Sequence, residues 1–431
     1  MKTDKGTAAN SEAEQSNENS EKGLTRRELL KLSAVAGAGI AIGASGLGTI
    51  LNVADKVEKK AAKSSAASLK EEGIAFYGKQ QAGIITAQQT YCYIASFDLK
   101  TENRAEVIEL LKTWTKFADL TTSGGTLKSL DNDLLPPNDT GEAADLGIAN
   151  LTITVGYGST FFEKDGKDRF SIKAKRPKYL EKIPHMAHDS LAEKYCEGDI
   201  CIQVCANDQQ VAFHAIRNMI RLSSGTATVK WLEEGFLRAP ADKTPRNLFG
   251  FKDGTANREH ETEEGYSKIV WAENGEPEWM KHGSYLGYRK IRMLLEIWDR
   301  SSLFDQEETF GRKKQSGAPY GKKHEFDAVD VSKLPADSHV RLAKKTKQQM
   351  HRRAYSYTSG MDNQTGTLDA GLLFICFTSN PAVQFLPMLK IMGKMDKLNE
   401  YTIPIGSALF ACQGGLQPGE FFGQKIFEET A

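Results

Sequence analysis

The chain has 431 residues, which is enough for two ordinary domains with their own cores. Its 56 basic and 56 acidic residues cancel, so charge gives no reason to expect nucleic acid as a partner. Six cysteines are too few in a chain of this length for a disulfide scaffold. Cys196, Cys201 and Cys205 are close together in the sequence, so a metal site is one interpretation. No histidine nearby completes a zinc-like spacing, however. Small buried thiols are the favoured interpretation.

The N-terminal region has the pattern of an export signal. Residues 1–23 are polar and are expected to be disordered. Arg26 and Arg27 then precede residues 32–54, which carry no charge. Paired arginines before a weakly apolar run rich in Gly and Ala are typical of a twin-arginine signal, which exports folded proteins. An uncleaved membrane anchor is the alternative, because 23 uncharged residues can span a bilayer.

Beyond a Lys- and Ala-rich tether, strand-like and helix-like patterns alternate. Apolar residues at period two predict strands, and apolar residues three and four apart predict helices. In the first half we predict strand, helix, strand, strand, helix and strand, at 91–99, 102–120, 151–157, 200–205, 208–220 and 226–232. This order is that of the ferredoxin-like unit.

A looser copy of the same order follows. It comprises a strand at 285–298, a helix capped by Ser301 or Ser302 and running to 310, strands at 353–357 and 372–377, a helix from Asn380 and Pro381, and a strand at 407–412. The predicted fold is therefore α+β, with two ferredoxin-like domains of antiparallel sheets packed with helices. The predicted boundaries are 1–54 for the polar region and signal, 55–72 for the linker, 73–238 for the N-terminal domain and 239–431 for the C-terminal domain.

Three side chains far apart in the sequence form a candidate site. His339 lies on an apolar turn that closes a long irregular insertion, 311–349, and such insertions are usually functional. A neutral imidazole is the commonest proximal ligand of haem iron in peroxidases. Arg352 opens a strand and can stabilise charge that develops on a bound peroxide. Asp253 can transfer the proton that cleavage of a peroxide requires.

Each of these assignments has an alternative. Asp253 precedes Gly254, and Asp-Gly is a common turn pair without chemistry. His351 could replace His339 as the ligand, although neighbours on an extended segment face opposite sides. Four aromatic residues could relay electrons to the surface, but core packing is the favoured interpretation: Tyr355, Tyr357, Trp298 and Trp231.

The motifs together resemble the dye-decolourising peroxidases, and more closely their exported twin-arginine branch tied to ferrous-iron uptake and described as deferrochelatases. The resemblance rests on 250–255 (Gly-Phe-Lys-Asp-Gly-Thr), 338–340 (Ser-His-Val), Arg352 with Arg353, and 369–374 (Asp-Ala-Gly-Leu-Leu-Phe). It covers nearly all of the chain after the signal. It implies two ferredoxin-like domains, with one haem b per chain held in the C-terminal one.

The resemblance also implies roles for individual residues. His339 matches the axial ligand of the haem iron, Asp253 the distal acid–base group and Arg352 the distal arginine. Around the haem it places Gly254, Thr255, Ala256 and Phe374, with Lys344 and Lys345 near the propionates in place of the arginine of many relatives. An acidic residue behind the axial histidine would raise its basicity, and Glu400 is the first candidate, with Asp369 second. Two further departures are Gln80, where many relatives have histidine, and Ala354, where some have a distal asparagine.

The expected function is a haem peroxidase that reduces hydrogen peroxide and oxidises a donor outside the cytoplasm, in the periplasm, the cell wall or the outer face of the membrane. The donor expected from the resemblance is ferrous iron, with a dye-like aromatic as another candidate. The expected partners are the twin-arginine translocase, an iron permease and its secreted iron-binding protein. A deferrochelatase that leaves the porphyrin intact and a non-catalytic haem carrier are the alternatives.

Overall fold

Four long strands from each half of the chain position the site. The computed structural model describes residues 73–128 and 132–428, and the predicted signal and tether lie outside them. The strands are β1 (Tyr91–Leu99), β2 (Thr152–Gly158), β3 (Glu163–Lys164), β4 (Lys167–Asp168), β5 (Ile200–Ala206), β6 (Ala227–Phe236), β7 (Ser284–Met293), β8 (His351–Arg352), β9 (Tyr355–Asp362), β10 (Thr367–Thr378) and β11 (Thr402–Cys412). The α-helices are α1 (Arg104–Thr122), α2 (Ser159–Phe162), α3 (Gln209–Leu222), α4 (Glu263–Ile269), α5 (Leu295–Trp298), α6 (Leu303–Phe310), α7 (His339–Lys345), α8 (Phe385–Met395) and α9 (Gln424–Phe427).

The two halves have the same strand order, and every pairing among these long strands is antiparallel. The first half is ordered β6-β1-β5-β2 and the second β11-β7-β10-β9. In each, the first strand of the half lies between the fourth and the third, which is the ferredoxin-like arrangement. The α+β prediction is confirmed. The boundary at 238/239 stays a prediction.

The two sheets are joined at both edges into one closed ring of eight strands. β2 pairs with β11, where Gly158 lies opposite Phe410, and β6 pairs with β9, where Phe236 lies opposite Ser356. Closure removes exposed sheet edges. The interior of the ring, which we call the barrel interior, is filled by one buried cluster that includes Cys92, Cys201, Cys205, Trp231, Tyr288, Tyr355 and Tyr357.

Two long helices cover the outer face of the first sheet. Asn103 caps α1 by accepting a hydrogen bond from the backbone N–H of Ala105 at 2.9 Å. The helix buries Val107, Leu110, Leu111, Trp114 and Phe117, which recur at helical spacing. Trp114 Nε1 donates to the carbonyl of Met219 on α3 at 2.8 Å, which ties the two helices together.

The second sheet is covered less completely. The helix that corresponds to α1 in this half, α6, has 8 residues, whereas α1 has 19. Ser302 caps α6, as predicted, by accepting from the backbone N–H of Asp305 at 3.1 Å. Among residues 73–128 and 132–428, no helix combines the length and apolar character that crossing a bilayer needs.

Two predicted elements in this half extend five residues beyond the observed ones. The strand at 285–298 ends at Met293, and the chain then turns into α5. The helix expected from Asn380 begins at Phe385; residues 381–384 form a turn, and the Gln384 side chain donates to the carbonyls of Ile269 and Gln349.

Candidate active site

A deep cavity lies between the second sheet and the segments that cover it. Its walls are β7, β10 and β11 on one side, with α7, α8 and the loop at 247–256 around them. The non-atom space, with the open mouth included, is about 1870 Å³. The lining is rich in large apolar side chains: Phe249, Phe251, Ile291, Met293, Phe310, Leu372, Phe374, Phe385, Met388, Leu389 and Met392. A flat apolar cofactor can be sheltered from water here.

His339 is the first residue of α7 and lines this cavity. Its Nδ1 lies 2.7 Å from Oδ2 of Asp396, whose side chain is 4% exposed. An ionised carboxylate only accepts hydrogen bonds, so Nδ1 carries the proton and Nε2 keeps its lone pair. The second carboxylate oxygen of Asp396 accepts from the backbone N–H of Leu398 at 2.9 Å. This arrangement fixes the imidazole in the form that binds a metal through Nε2.

Asp253 and Arg352 meet in the same cavity. Oδ1 of Asp253 lies 3.2 Å from Nη2 of Arg352, and both side chains are partly exposed to the cavity. The side chain of Asn257 holds the main chain of Arg352 in place. Asn257 Nδ2 donates to the Arg352 carbonyl at 2.6 Å, and the Arg352 N–H donates to Asn257 Oδ1 at 3.1 Å. The acid–base candidate and the cationic candidate are therefore a preformed pair.

A buried carboxylate anchors the turn that carries Asp253. Glu325, in the long insertion, accepts a hydrogen bond from Thr255 Oγ1 at 2.9 Å and forms an ion pair with Lys252. Burial alone would raise the pKa of Glu325, but the hydrogen bonds from Lys252 and Thr255 lower it overall. The insertion therefore supports the turn that carries Asp253 as well as supplying His339.

The predicted site residues divide into two groups. Those that line the cavity are Asp253, Thr255, Ala256, His339, Lys344, Arg352 and Phe374. Gly254, Lys345 and Glu400 are not among its lining residues; Gly254, at φ 104°, makes the left-handed turn before a 3₁₀-helix, Thr255–Glu259. The ammonium of Lys344 already binds Glu259, with Nζ–Oε distances of 2.8 and 3.0 Å. The proposed roles of these residues stay predictions.

Asp396 occupies the position behind His339 for which Glu400 and Asp369 were the candidates. Glu400 is exposed at the end of the 3₁₀-helix Lys397–Glu400, and Asp369 accepts from the Tyr357 hydroxyl at 3.4 Å. Asp396 takes this position because α8 ends at Met395 and the next residue lies beside α7. The sequence does contain a signal for a structured position at Asp396, because an aspartate directly after a helix commonly caps the next turn.

Two further residues of the site, Asn257 and Arg312, were not predicted from the sequence. Asn257 lies two residues beyond the motif at 250–255, and spacing in the sequence does not predict its hydrogen bonds to Arg352. Arg312 lines the cavity and donates to the carbonyls of Gly317 and Glu325 at 2.7 and 2.9 Å. Burial lowers its pKa. It is a fixed cation in the wall that could bind a carboxylate of a cofactor.

The donor set fits a haem. One imidazole has a free Nε2 and a carboxylate partner, the walls are apolar, and a polar pair suited to peroxide lines the same cavity. His351 does not fit the ligand role, because its ring contacts His260 and Tyr266 at centroid distances of 5.7 and 5.4 Å and does not line the cavity. Burial lowers the pKa of His351 to about 3.

Comparison with known proteins agrees with this geometry. Residues 81–237 match the profile of the Dyp-type peroxidase N-terminal domain, and residues 244–417 match that of the C-terminal domain. The chain is 36% identical over 423 residues to the deferrochelatase of Escherichia coli K12, covering 93% of this chain and 96% of that protein. It is 37% identical over 373 residues to the deferrochelatase of Yersinia pseudotuberculosis, covering 82% and 84% of the two chains.

Solved structures are similar over the same region. Ferric DtpA from Streptomyces lividans has a TM-score of 0.76 and 34% identity, and the match covers 84% of this chain and 99% of that one. A DyP-type peroxidase from Streptomyces coelicolor has a TM-score of 0.76 and 33% identity, with 84% and 100% coverage. From the two matched profiles, the near full-length relatives and the histidine–carboxylate and aspartate–arginine pairs of one cavity, it follows that this chain belongs to the Dyp-type peroxidase family and is a haem-dependent enzyme.

Proposed function

We propose that this protein uses hydrogen peroxide to oxidise ferrous iron outside the cytoplasm, with Asp253 and Arg352 as its catalytic residues. The observation that carries the proposal is the contact of Asp253 with Arg352 in the cavity that also contains His339. Bound there through His339, a haem supplies the redox chemistry of its iron.

The protein's own contribution is proton transfer and charge stabilisation. Asp253 takes a proton from one oxygen of hydrogen peroxide and delivers it to the other, so that water can leave. Arg352 stabilises the negative charge that develops as the O–O bond lengthens. Asn257 keeps the guanidinium beside the carboxylate through two bonds to the Arg352 main chain. Lys252 and Thr255 hold the turn through Glu325.

Two substitutions test these roles. Asp253→Asn and Arg352→Leu should each lower the rate of peroxide reduction by about 10²- to 10³-fold, as does removal of one oxyanion donor or one proton-transfer group elsewhere. Haem absorbance should be retained, because neither residue is the proposed ligand. The measurement is stopped-flow visible spectroscopy of haem-loaded protein mixed with peroxide. Asp242→Asn, an exposed change outside the cavity, is the control; peroxide reduction at the native rate in both site variants would refute the roles.

Location and partners are further parts of the proposal. Arg26 and Arg27 before the uncharged run support export by the twin-arginine translocase, which carries proteins already folded around a cofactor. Ferrous iron oxidised outside the cytoplasm would pass to a permease and its secreted iron-binding protein. Fractionation of cells that produce the chain with Arg26 and Arg27 replaced by lysine should show it retained in the cytoplasm.

Release of iron from haem with the porphyrin intact is the second candidate, supported by the names of the relatives in Escherichia coli and Yersinia. Protoporphyrin fluorescence appearing when the protein is incubated with haem, without peroxide, would favour it. Peroxide reduction distinguishes a peroxidase from a non-catalytic haem carrier. A peroxidase reduces peroxide in its native form and far more slowly as Asp253→Asn, whereas a haem carrier reduces no peroxide in either form.

A further inference from the structure

The barrel interior contains a buried cation without a carboxylate partner. Arg353 is 1% exposed and points to the opposite side of its strand segment from Arg352. Its guanidinium donates to two neutral oxygens, the Thr86 carbonyl and Gln89 Oε1. Its Nε has no partner, and no carboxylate forms an ion pair with it among residues 73–128 and 132–428. An isolated buried charge is costly, so a counter-charge is expected nearby.

The acidic groups that interact with this guanidinium are the phenol of Tyr355 and the thiols of Cys205 and Cys92, and Cys205 is also its hydrogen-bond partner. Cys205 and Cys92 are fully buried, and the hydroxyl of Tyr355 donates to Cys205 Sγ at 3.6 Å. Burial would raise the pKa of Cys205, but the hydrogen bond from Cys92, the charge of Arg353 and the bond from Tyr355 lower it to about 6. Burial raises the pKa of Cys92. The pair therefore shares one proton, which stays on Cys92.

The two cysteines also have the geometry of a disulfide. Cys92 on β1 and Cys205 on β5 are direct partners in an antiparallel pairing, and both side chains belong to the barrel interior. Directly opposed residues in such a pairing have Cα atoms roughly 4.5–5.5 Å apart, which lies within the range of about 4.4–6.8 Å for disulfides. Both thiols are free in the structure.

We propose that Cys205 is a thiolate paired with Arg353, and that peroxide converts Cys205 and Cys92 into a disulfide inside the barrel. The Cys205 sulfur attacks one peroxide oxygen, an S–O bond forms, the O–O bond breaks, and the other oxygen leaves as hydroxide. The Cys92 sulfur then attacks Cys205, the S–O bond breaks, and the second hydroxide takes the Cys92 proton to leave as water. Two electrons pass from the sulfurs to one peroxide.

The test is peptide mapping of the haem-loaded full chain after graded peroxide, with alkylation under denaturing, non-reducing conditions. The expected product joins the peptides of Cys92 and Cys205 and is two hydrogens lighter than their sum, while Cys196, Cys201, Cys376 and Cys412 remain alkylated thiols. Cys201 and Cys412 are matched controls, because they belong to the same interior cluster without facing each other in the sheet. Free thiols at both positions after peroxide, or oxidation spread equally over all six cysteines, would overturn the proposal.

Variants isolate the thiolate and its counter-charge. Arg353→Met should slow disulfide formation by about tenfold or more, because a buried thiol without the cation is rarely ionised, whereas Arg353→Lys should slow it less. Should Arg353→Met fail to fold, Cys92→Ala carries the test: peroxide should then leave a sulfenic acid on Cys205 that dimedone labels. The ultraviolet absorbance of thiolate should rise with a midpoint near pH 6 in the native protein and not in Cys205→Ala; an unchanged profile in that variant would contradict the pairing.

Discussion

The two halves of the molecule share a strand order but differ in what covers the outer face of the sheet. In the first half, the 19-residue α1 and the 14-residue α3 close the face with a packed core that buries Trp114 completely. In the second half, α6 has only 8 residues and α8 only 11. At about 1.5 Å per residue, the shorter helices leave part of the sheet uncovered, and the cavity occupies that space. One topology thus gives a structural half and a functional half.

The largest expected effect is loss of the cofactor from the second half. His339→Ala removes the imidazole whose Nε2 is free to bind iron, so the haem absorbance band should disappear from protein purified from haem-replete cells. His185→Ala, an exposed change outside the cavity, should retain it. A normal band in His339→Ala would show that another residue binds the iron, and would end the assignment of the cavity.

Core truncations should separate the halves by stability. Trp114→Ala should lower the free energy of unfolding by about 3–5 kcal/mol, because a fully buried indole leaves a cavity and the hydrogen bond to Met219 is lost. Phe374→Ala should cost roughly 1–2 kcal/mol in the haem-free protein, since its ring already borders open space. Urea unfolding followed by far-ultraviolet circular dichroism measures both. Equal losses would mean that the second half is packed as tightly as the first.

Acid should weaken the second half before the first. Burial lowers the pKa of His260 to about 4 and that of His351 to about 3. Between these values and their unfolded pKa of about 6.5, the unfolded chain binds more protons, so stability falls as pH falls through this window. In the first half, Asp139 has its pKa lowered to about 2: burial would raise it, but the bond from His214 prevails. Its contribution is fully present above the unfolded pKa of about 4 and is lost as pH falls from there towards 2.

Unfolding free energies at pH 7 and pH 5 check this order. The native protein should lose stability over the interval, and His351→Phe should lose less, because one of the two titrating imidazoles is absent. Asp362→Asn, the control, should leave the loss between pH 7 and pH 5 unchanged, because the backbone N–H of Gln364 and the guanidinium of Arg292 lower the pKa of Asp362 to about 2 and neither partner is a histidine. An identical pH slope in His351→Phe and native protein would contradict the assignment.

The smallest effect concerns the support of the ligand. Asp396→Asn keeps the size of the side chain but removes the charge that orients His339, and should weaken haem binding by about 10- to 100-fold. Glu400→Gln, four residues further along and exposed, should leave it unchanged. Haem affinity measured by transfer to apomyoglobin distinguishes the two, and a larger effect in Glu400→Gln would show that Glu400, and not Asp396, supports the ligand.

Local patterns in the sequence predicted most of the elements. Ser302 and Asp208 cap their helices because short polar side chains bond the first backbone N–H groups, and the apolar residues of α1 recur at helical spacing. The same reasoning could not find the closure of the ring, since the pairings of β2 with β11 and β6 with β9 join segments far apart in the chain.

The candidate site was predictable to a similar depth. Residue type and the resemblance led to His339, Asp253 and Arg352, which the structure brings to one cavity. Choosing among the carboxylates near position 400 requires the end of α8 and the place where it meets α7, and neither follows from periodicity. The cation Arg312 was passed over because its neighbours in the sequence are also basic, and only burial distinguishes it.

The two bonds between Asn257 and the main chain of Arg352 have a consequence for how the cavity opens. Asn257 lies on the same turn as Asp253, so the turn and the strand segment are fastened together at the backbone. Any widening that admits a bulky planar guest must displace α7, α8 or the insertion rather than separate the carboxylate from the guanidinium. Hydrogen exchange should accordingly be slow at the Arg352 amide and faster along α8, with or without a guest.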